Sequence, residues 1–204
     1  GITYHSYSEL VLFPYGYSTG AFAPDHNSLQ ALAVSMANTI PAEGGGYYTP
    51  DKSSGLYPAS GVTDDYAYGE HGIFSYTIEL GTEFIPPAAE ISSMCQNNLQ
   101  AALILLNRID KSTLTGIVKD ASTLLPLQAE VTVSGIDNTA AFRKPYTSDE
   151  AFGRYYRMLP DGNYTVTFSL YGYIPQTFTN VNINNLAQTI LNVNLVQAQT
   201  VEVT

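Results

Sequence analysis

Three stretches carry side chains able to do chemistry. The first is ITYHSYSELVLFPYGYS, residues 2–18, where His5, one of three histidines, stands among aromatic and β-branched residues. On a strand alternate residues share a face, so His5 and Tyr7 point one way and Ser6 the other. Glu9 lies about 13 Å further along an extended chain, too far to form a chelate with His5. A strand histidine of this kind is either a hydrogen-bonded core residue or a ligand, and the stretch alone leaves both readings open. The second is FSYTIEL, residues 74–80, in which Glu79 stands at the end of a strand-like run. A carboxylate there is costly to bury unless paired or catalytic, and sites form at the carboxyl ends of strands in α/β sheets. A solvent-facing glutamate is the alternative. The third is GLYPASGVTDDYAYG, residues 55–69. Gly55 and Gly61 bracket Tyr57 and make a flexible loop. Asp64 and Asp65 precede a short helical stretch and read as an N-cap, or as metal-binding carboxylates without a ligand spacing behind them.

The elements that must position these groups follow two grammars. Ile2–Ser8 and Leu10–Phe13 read as strands. Pro24-Asp25-His26-Asn27 starts a helix, and Leu29, Leu32, Ala33, Met36, Ala37 and Ile40 give it one apolar face. Pro41 and Gly44-Gly45-Gly46 stop it. A long loop, residues 47–65, leads to a strand over Gly72–Leu80. Pro86-Pro87 opens a second helix, whose stripe runs through Ile91, Met94, Cys95, Leu99, Ala102, Leu103 and Leu106. Both helices need a sheet to lie on, which is α/β architecture. From Ser112 short strands recur about every ten residues: LTGIVK, AEVTVSGI, GRYYRML, NYTVTFSL, QTFTNVNI and TILNVNLV. Tyr164, Val166 and Phe168 alternate with Thr165, Thr167 and Ser169, the mark of a half-buried strand. Pro160-Asp161-Gly162-Asn163 reads as a hairpin turn. The second half is therefore an all-β sandwich of about seven strands, and the division falls near Asp110-Lys111-Ser112, giving domains of residues 1–110 and 111–204.

Composition narrows the function classes. Of 204 residues 45% are hydrophobic and 13% charged, as in a globular protein. The net charge of −10 argues against nucleic acid, which needs clustered cations. One cysteine, Cys95, excludes an internal disulfide and a multi-cysteine metal site. No run approaches the roughly 20 apolar residues of a membrane span. Sixteen tyrosines and Asn- and Thr-rich late strands fit a secreted, extracellular or cell-surface bacterial protein. No signal peptide opens the chain, and a strand-like run directly after Gly1 reads as a cut edge.

Together the three stretches resemble the zinc metallocarboxypeptidases of the carboxypeptidase A/B type. HSYSELVLFPYGY is similar to the family's histidine strand, YPASGVTDDYAYG to its mobile tyrosine loop, and FSYTIEL to the strand ending in the catalytic glutamate; the resemblance covers residues 2 to about 109. It implies His5 as a zinc ligand and Glu79 as general base. It implies Tyr57 closing over the substrate's C-terminal carboxylate, and Ser6 and Tyr7 lining the cleft. Asp64 falls where the B-type enzymes carry an acid at the base of the specificity pocket, so the implied substrates are peptide or protein C-termini ending in Lys or Arg. Gly16, at another pocket position, is A-like. LTGIVKDASTLLPLQAEVTV and FGRYYRMLPDGNYTVTFSLYGY resemble the transthyretin-like, or carboxypeptidase regulatory-like, domain that follows many catalytic domains of the family; its implied role is structural.

The family's remaining zinc ligands come from a His-x-x-Glu motif and its substrate-gripping arginines from the same half of the domain, and no H-x-x-E occurs in this chain. Zinc needs three protein ligands and a water. The expectation is therefore the C-terminal part of a zinc enzyme, inactive alone, binding no catalytic zinc by itself and partnered by the missing N-terminal half. Two alternatives stay open: a non-catalytic binding or cell-surface scaffold, and a peptidase on the same fold acting on cell-wall peptides.

Overall fold

The computed structural model describes residues 1–137, 141 and 143–199. They form two compact units, one of Gly1–Arg108 with residues 141 and 143–144, the other of Ile109–Asp137 with residues 145–199.

The first unit is built on a mixed four-stranded sheet. β1 (Ile2–His5) runs parallel to β4 (Tyr76–Glu79), β4 antiparallel to β2 (Leu10–Phe13), and β2 parallel to β3 (Thr49–Lys52). The order β1-β4-β2-β3 leaves β1 and β3 at the edges. α1 (His26–Ala37) lays Leu29, Leu32, Ala33, Met36 and Ala37 into the core beside Val11, Phe13, Tyr76 and Ile78. That is the face its spacing predicts. Asp25, at its N-cap, makes no side-chain cap bond. Its carboxylate instead accepts the Tyr68 hydroxyl at 2.7 Å and lies 3.7 Å from the Arg143 guanidinium.

Four expectations need correction. β1 stops at His5, not Ser8, because the chain turns through Glu9 at φ +56°. The long loop 47–65 contains β3 and a short helix, α2 (Ser53–Leu56). Pairing with β2 recruits Thr49–Lys52, and Pro50 is tolerated because β3 is an edge strand. β4 begins at Tyr76 because the preceding helix, α3 (Thr63–His71), ends on Gly72 at φ +64°, and the next amide returns to the Ala67 carbonyl. A left-handed glycine closes helices in this way at little steric cost. In α4 (Ile91–Leu106) only Asn98 and Ala101 are buried, so the predicted stripe is largely open: Ile91, Leu99 and Leu106 are each more than half exposed.

The second unit is a sandwich. Its strands are β5 (Thr113–Asp120), β6 (Glu130–Val133), β7 (Arg154–Met158), β8 (Gly162–Ser169), β9 (Tyr173–Ile174), β10 (Gln176–Ile183), β11 (Gln188–Ile190) and β12 (Val193–Gln197). One sheet is β10-β8-β6; in the other β5 is flanked by β7 on one side and by β11 and β12 in succession. Val131, Val133, Val166 and Phe168 of the first sheet pack with Leu114, Val118, Tyr155, Val193 and Leu195 of the second. The buried Arg157 is paired with Asp137 at 2.9 Å and stacks over Tyr146. Pro160-Asp161-Gly162-Asn163 does not make a hairpin: β7 pairs with β5, whereas β8 pairs with β6 and β10. Turn residues specify a reversal of the chain, while the layer each strand joins is set by packing. The run TILNVNLV likewise splits into β11 and β12, and at the break the Asn192 side chain accepts the Ile117 amide at 3.0 Å.

Gly116 permits that break. A Cβ there would lie 2.0 Å from the Leu191 carbonyl oxygen, which accepts the Tyr155 hydroxyl at 2.7 Å and belongs to a residue whose amide donates to the Thr115 carbonyl. Gly116→Ala is expected to destabilise the sandwich by roughly 2–3 kcal/mol through overpacking, measured as a loss in the urea midpoint. A change below about 0.5 kcal/mol would mean that the Leu191 backbone gives way freely.

Candidate functional site

β1 and β4 are parallel neighbours whose carboxyl ends coincide, and His5 is the register partner of Glu79. Parallel strands present residues of one face side by side, so the two side chains meet: His5 Nδ1 lies 3.3 Å from Glu79 Oε2. Glu79 is buried, while the imidazole is 62% exposed. A buried acid therefore contacts an accessible base at the mouth of a recess.

That recess, of about 340 Å³, gathers His5, Glu79, Tyr57 and Asp64 with apolar walls from Leu12, Leu56 and Val62. Tyr57, directly after α2, is 63% exposed at the rim. Asp64 sits in the first turn of α3 and is 1% exposed. Neither aspartate is an N-cap; Val62 holds that position. Asp64 Oδ1 accepts from the Ser75 hydroxyl at 3.1 Å and Oδ2 from the Thr77 hydroxyl at 2.8 Å. Burial pushes its pKa up, and the two hydroxyl bonds only partly oppose this. Asp65 has a different task. Its carboxylate accepts the Gly16 and Tyr17 amides at 2.8 and 3.0 Å, and the Gly16 carbonyl accepts the Ala59 amide. Those bonds tie the loop after β2 to the loop carrying Tyr57. Gly16 lines the recess, and a Cβ there would come within 3.1–3.2 Å of Ser53 and Val62.

Of the residues singled out in the sequence, the fold brings His5, Tyr57, Asp64 and Glu79 around one space. Ser6 and Tyr7 lie outside its lining. The Ser6 hydroxyl donates to the Phe84 carbonyl at 2.8 Å, and Tyr7 is half exposed. The sequence reading missed Ser75 and Thr77, and for Asp65 it did not foresee the bonds to the Gly16 and Tyr17 amides. A signal existed for Ser75 and Thr77: with Glu79 they stand at every second position of FSYTIEL, alternating with buried Tyr76 and Ile78, so one face of this run is polar.

A catalytic zinc takes three protein ligands and a water. Among the described residues no three His, Cys, Asp or Glu side chains converge. One imidazole beside one carboxylate does not by itself fit the ion. What the arrangement can do alone is exchange a proton between Glu79 and a group at the mouth, and bind a cation at Asp64 along an apolar wall.

The zinc carboxypeptidase family profile matches residues 1–101. Human carboxypeptidase D is 32% identical over 126 residues, 61% of this chain and 9% of that protein. The zinc carboxypeptidase of Saccharothrix mutabilis subsp. capreolus is 35% identical over 114 residues, 53% of this chain and 26% of that protein. Human carboxypeptidase O is 34% identical over 135 residues, 62% of this chain and 36% of that protein. Among solved structures, that of thrombin activatable fibrinolysis inhibitor shares 32% identity at a TM-score of 0.45, covering 51% of this chain and 27% of that one. The chain thus spans between 9% and 36% of the length of these curated relatives.

Proposed function

We infer, from a first unit whose residues 1–101 belong to the zinc carboxypeptidase family, that the chain is the C-terminal part of an enzyme releasing single C-terminal residues from peptides and proteins, with preference for Lys and Arg. The observation carrying this reading is the His5–Glu79 contact at the mouth of a recess with buried Asp64 among its lining. Glu79 takes a proton from the attacking water and returns it to the leaving amine. Tyr57, exposed on its loop, closes over the terminal carboxylate, and Asp64 pairs with a cationic side chain whose stem lies along Leu12, Leu56 and Val62. Ser6 and Tyr7, outside the lining of that recess, would line the remainder of the substrate cleft beside His5. In the full-length enzyme zinc would supply Lewis acidity at the scissile carbonyl, and of its ligands this chain would contribute His5.

The missing N-terminal half supplies the other ligands. Two features of the surface support it as a partner. β1 is an edge strand with no neighbour on its outer side among the described residues, and an apolar groove of about 480 Å³ runs beside it between Tyr4, Leu80, Ile91, Cys95 and Leu99. Edge strands and apolar surfaces of this kind are normally covered. The second unit is proposed as a transthyretin-like support domain, and the whole protein as extracellular. No helix among the described residues is long and apolar enough to cross a membrane.

The test is the full-length protein with hippuryl-Arg and hippuryl-Phe. It is expected to hold stoichiometric zinc by elemental analysis, to release Arg faster than Phe, and to lose activity on chelation. The isolated chain is expected to hold no stoichiometric zinc and to hydrolyse neither substrate. A full-length protein without hydrolysis would sink the enzymatic reading and leave the scaffold. Zinc bound by the isolated chain would refute its dependence on the missing half.

A further inference from the structure

Asp64 differs from half-buried Asp65 and buried Asp25 in what holds it. Asp65 is gripped by two backbone amides, which donate and can never accept. Asp25 has the Arg143 guanidinium beside it. Asp64 has two hydroxyls, Ser75 Oγ and Thr77 Oγ1, and every hydroxyl can donate or accept by rotating. With Asp64 ionised, both donate to it. With a proton on Oδ2, the Thr77 hydroxyl turns to accept it while Ser75 still donates to Oδ1. Neither charge state leaves a buried polar group unpaired, which is the usual cost of changing the charge of a buried group.

The surroundings do not pin the charge either. Around Asp64 stand Asp65 on its own helix, the Gly1 ammonium ahead of β1, and, sharing its recess, His5 and Glu79 at the ends of β1 and β4. No Lys or Arg lines the recess among the described residues. Asp65 disfavours the anion, the Gly1 ammonium favours it, and burial outweighs both. Where Gly1 is joined to preceding residues, a neutral peptide group replaces that ammonium and the anion loses its support.

Resting on the carboxypeptidase reading, we propose that Ser75 and Thr77 are specificity-determining residues: they let Asp64 hold either charge, so the recess takes a cationic C-terminal side chain when Asp64 is ionised and a neutral one when it is protonated. The walls serve both substrates, since the apolar stem of Lys or Arg and a wholly apolar side chain make the same contacts with Leu12, Leu56 and Val62. The sign follows from the raised pKa. The anion is lost as pH falls through the folded value, so cation preference fades at a higher pH than an ordinary aspartate, near about 3.9, would allow.

The experiment measures kcat/KM for hippuryl-Arg and hippuryl-Phe across pH in the full-length enzyme and takes their ratio, which cancels the titration of groups common to both reactions. The ratio is expected to fall about tenfold per pH unit below a single midpoint lying above about 3.9. Thr77→Val removes a bond made to the anion and is expected to move the midpoint up by about one unit; Thr77→Ser restores it. In parallel, the Asp64 carboxyl carbon is titrated by NMR in this chain, wild type and Thr77→Val, where the same upward shift is expected without any catalysis. A preference for Arg that does not change with pH, or an Asp64 midpoint at or below about 3.9, overturns the proposal and leaves the B-like reading intact. No preference for Arg at any pH overturns that reading, and this proposal with it.

Discussion

Glu79→Gln in the full-length enzyme is expected to lower kcat for hippuryl-Arg by roughly 10²- to 10⁴-fold, the usual worth of a positioned general base, with little change in KM. Glutamine keeps the size and planar end of the side chain and can still meet His5 Nδ1, which lies 3.3 Å from the carboxylate in the wild type. What it lacks is the capacity to accept a proton. The carboxylate is 8% exposed, so bulk water cannot readily stand in for it. Replacing one buried polar group by another of equal shape leaves the fold alone, and the thermal midpoint should move by only a few degrees. The split between constants is diagnostic. A variant with normal kcat and raised KM would make Glu79 a group that positions substrate and takes no proton.

How far the sequence could be read depended on the range of the interaction. Within one strand or helix it was read well: Leu10–Phe13 is a strand, α1 buries the face its spacing assigns, and Val166 and Phe168 point inward on β8. These follow from backbone periodicity, which eleven or so residues suffice to specify. The meeting of His5 and Glu79 could not come from either stretch, because 74 positions separate them and only the parallel register of β1 on β4 brings their ends level. It was reached through a family resemblance, which carries long-range information that local patterns lack.

The failures have the same origin. The open stripe of α4 satisfies the amphipathic pattern perfectly well; periodicity states that a face is apolar and is silent on what covers it. Asp64 and Asp65 stand side by side in a helix's first turn, where both invite the same capping reading. Their partners differ because one faces the hydroxyls of Ser75 and Thr77 and the other the amides of the loop after β2. Nothing within five residues of either aspartate distinguishes them.

That divergence gives the second large effect, at Asp64. Asp64→Asn keeps the volume and both oxygen and nitrogen contacts to Ser75 and Thr77, yet removes the charge at the base of the recess. Deleting one partner of a buried, hydrogen-bonded charge pair costs about 3–4 kcal/mol, so the ratio of kcat/KM for hippuryl-Arg over hippuryl-Phe is expected to fall roughly 10²- to 10³-fold. Most of the loss should lie in KM, because the cation is bound equally in the ground and transition states and uniform binding does not alter kcat. The folded protein should not suffer: an amide is cheaper to bury than a carboxylate, and the hydroxyls around it remain paired. The remaining ratio should also lose its dependence on pH, since the titrating group is gone. Should the wild type release Phe faster than Arg, or Asp64→Asn leave the ratio within about threefold, the buried aspartate is a structural acid serving β4 and α3, and the side chain of the substrate is chosen by the apolar walls alone.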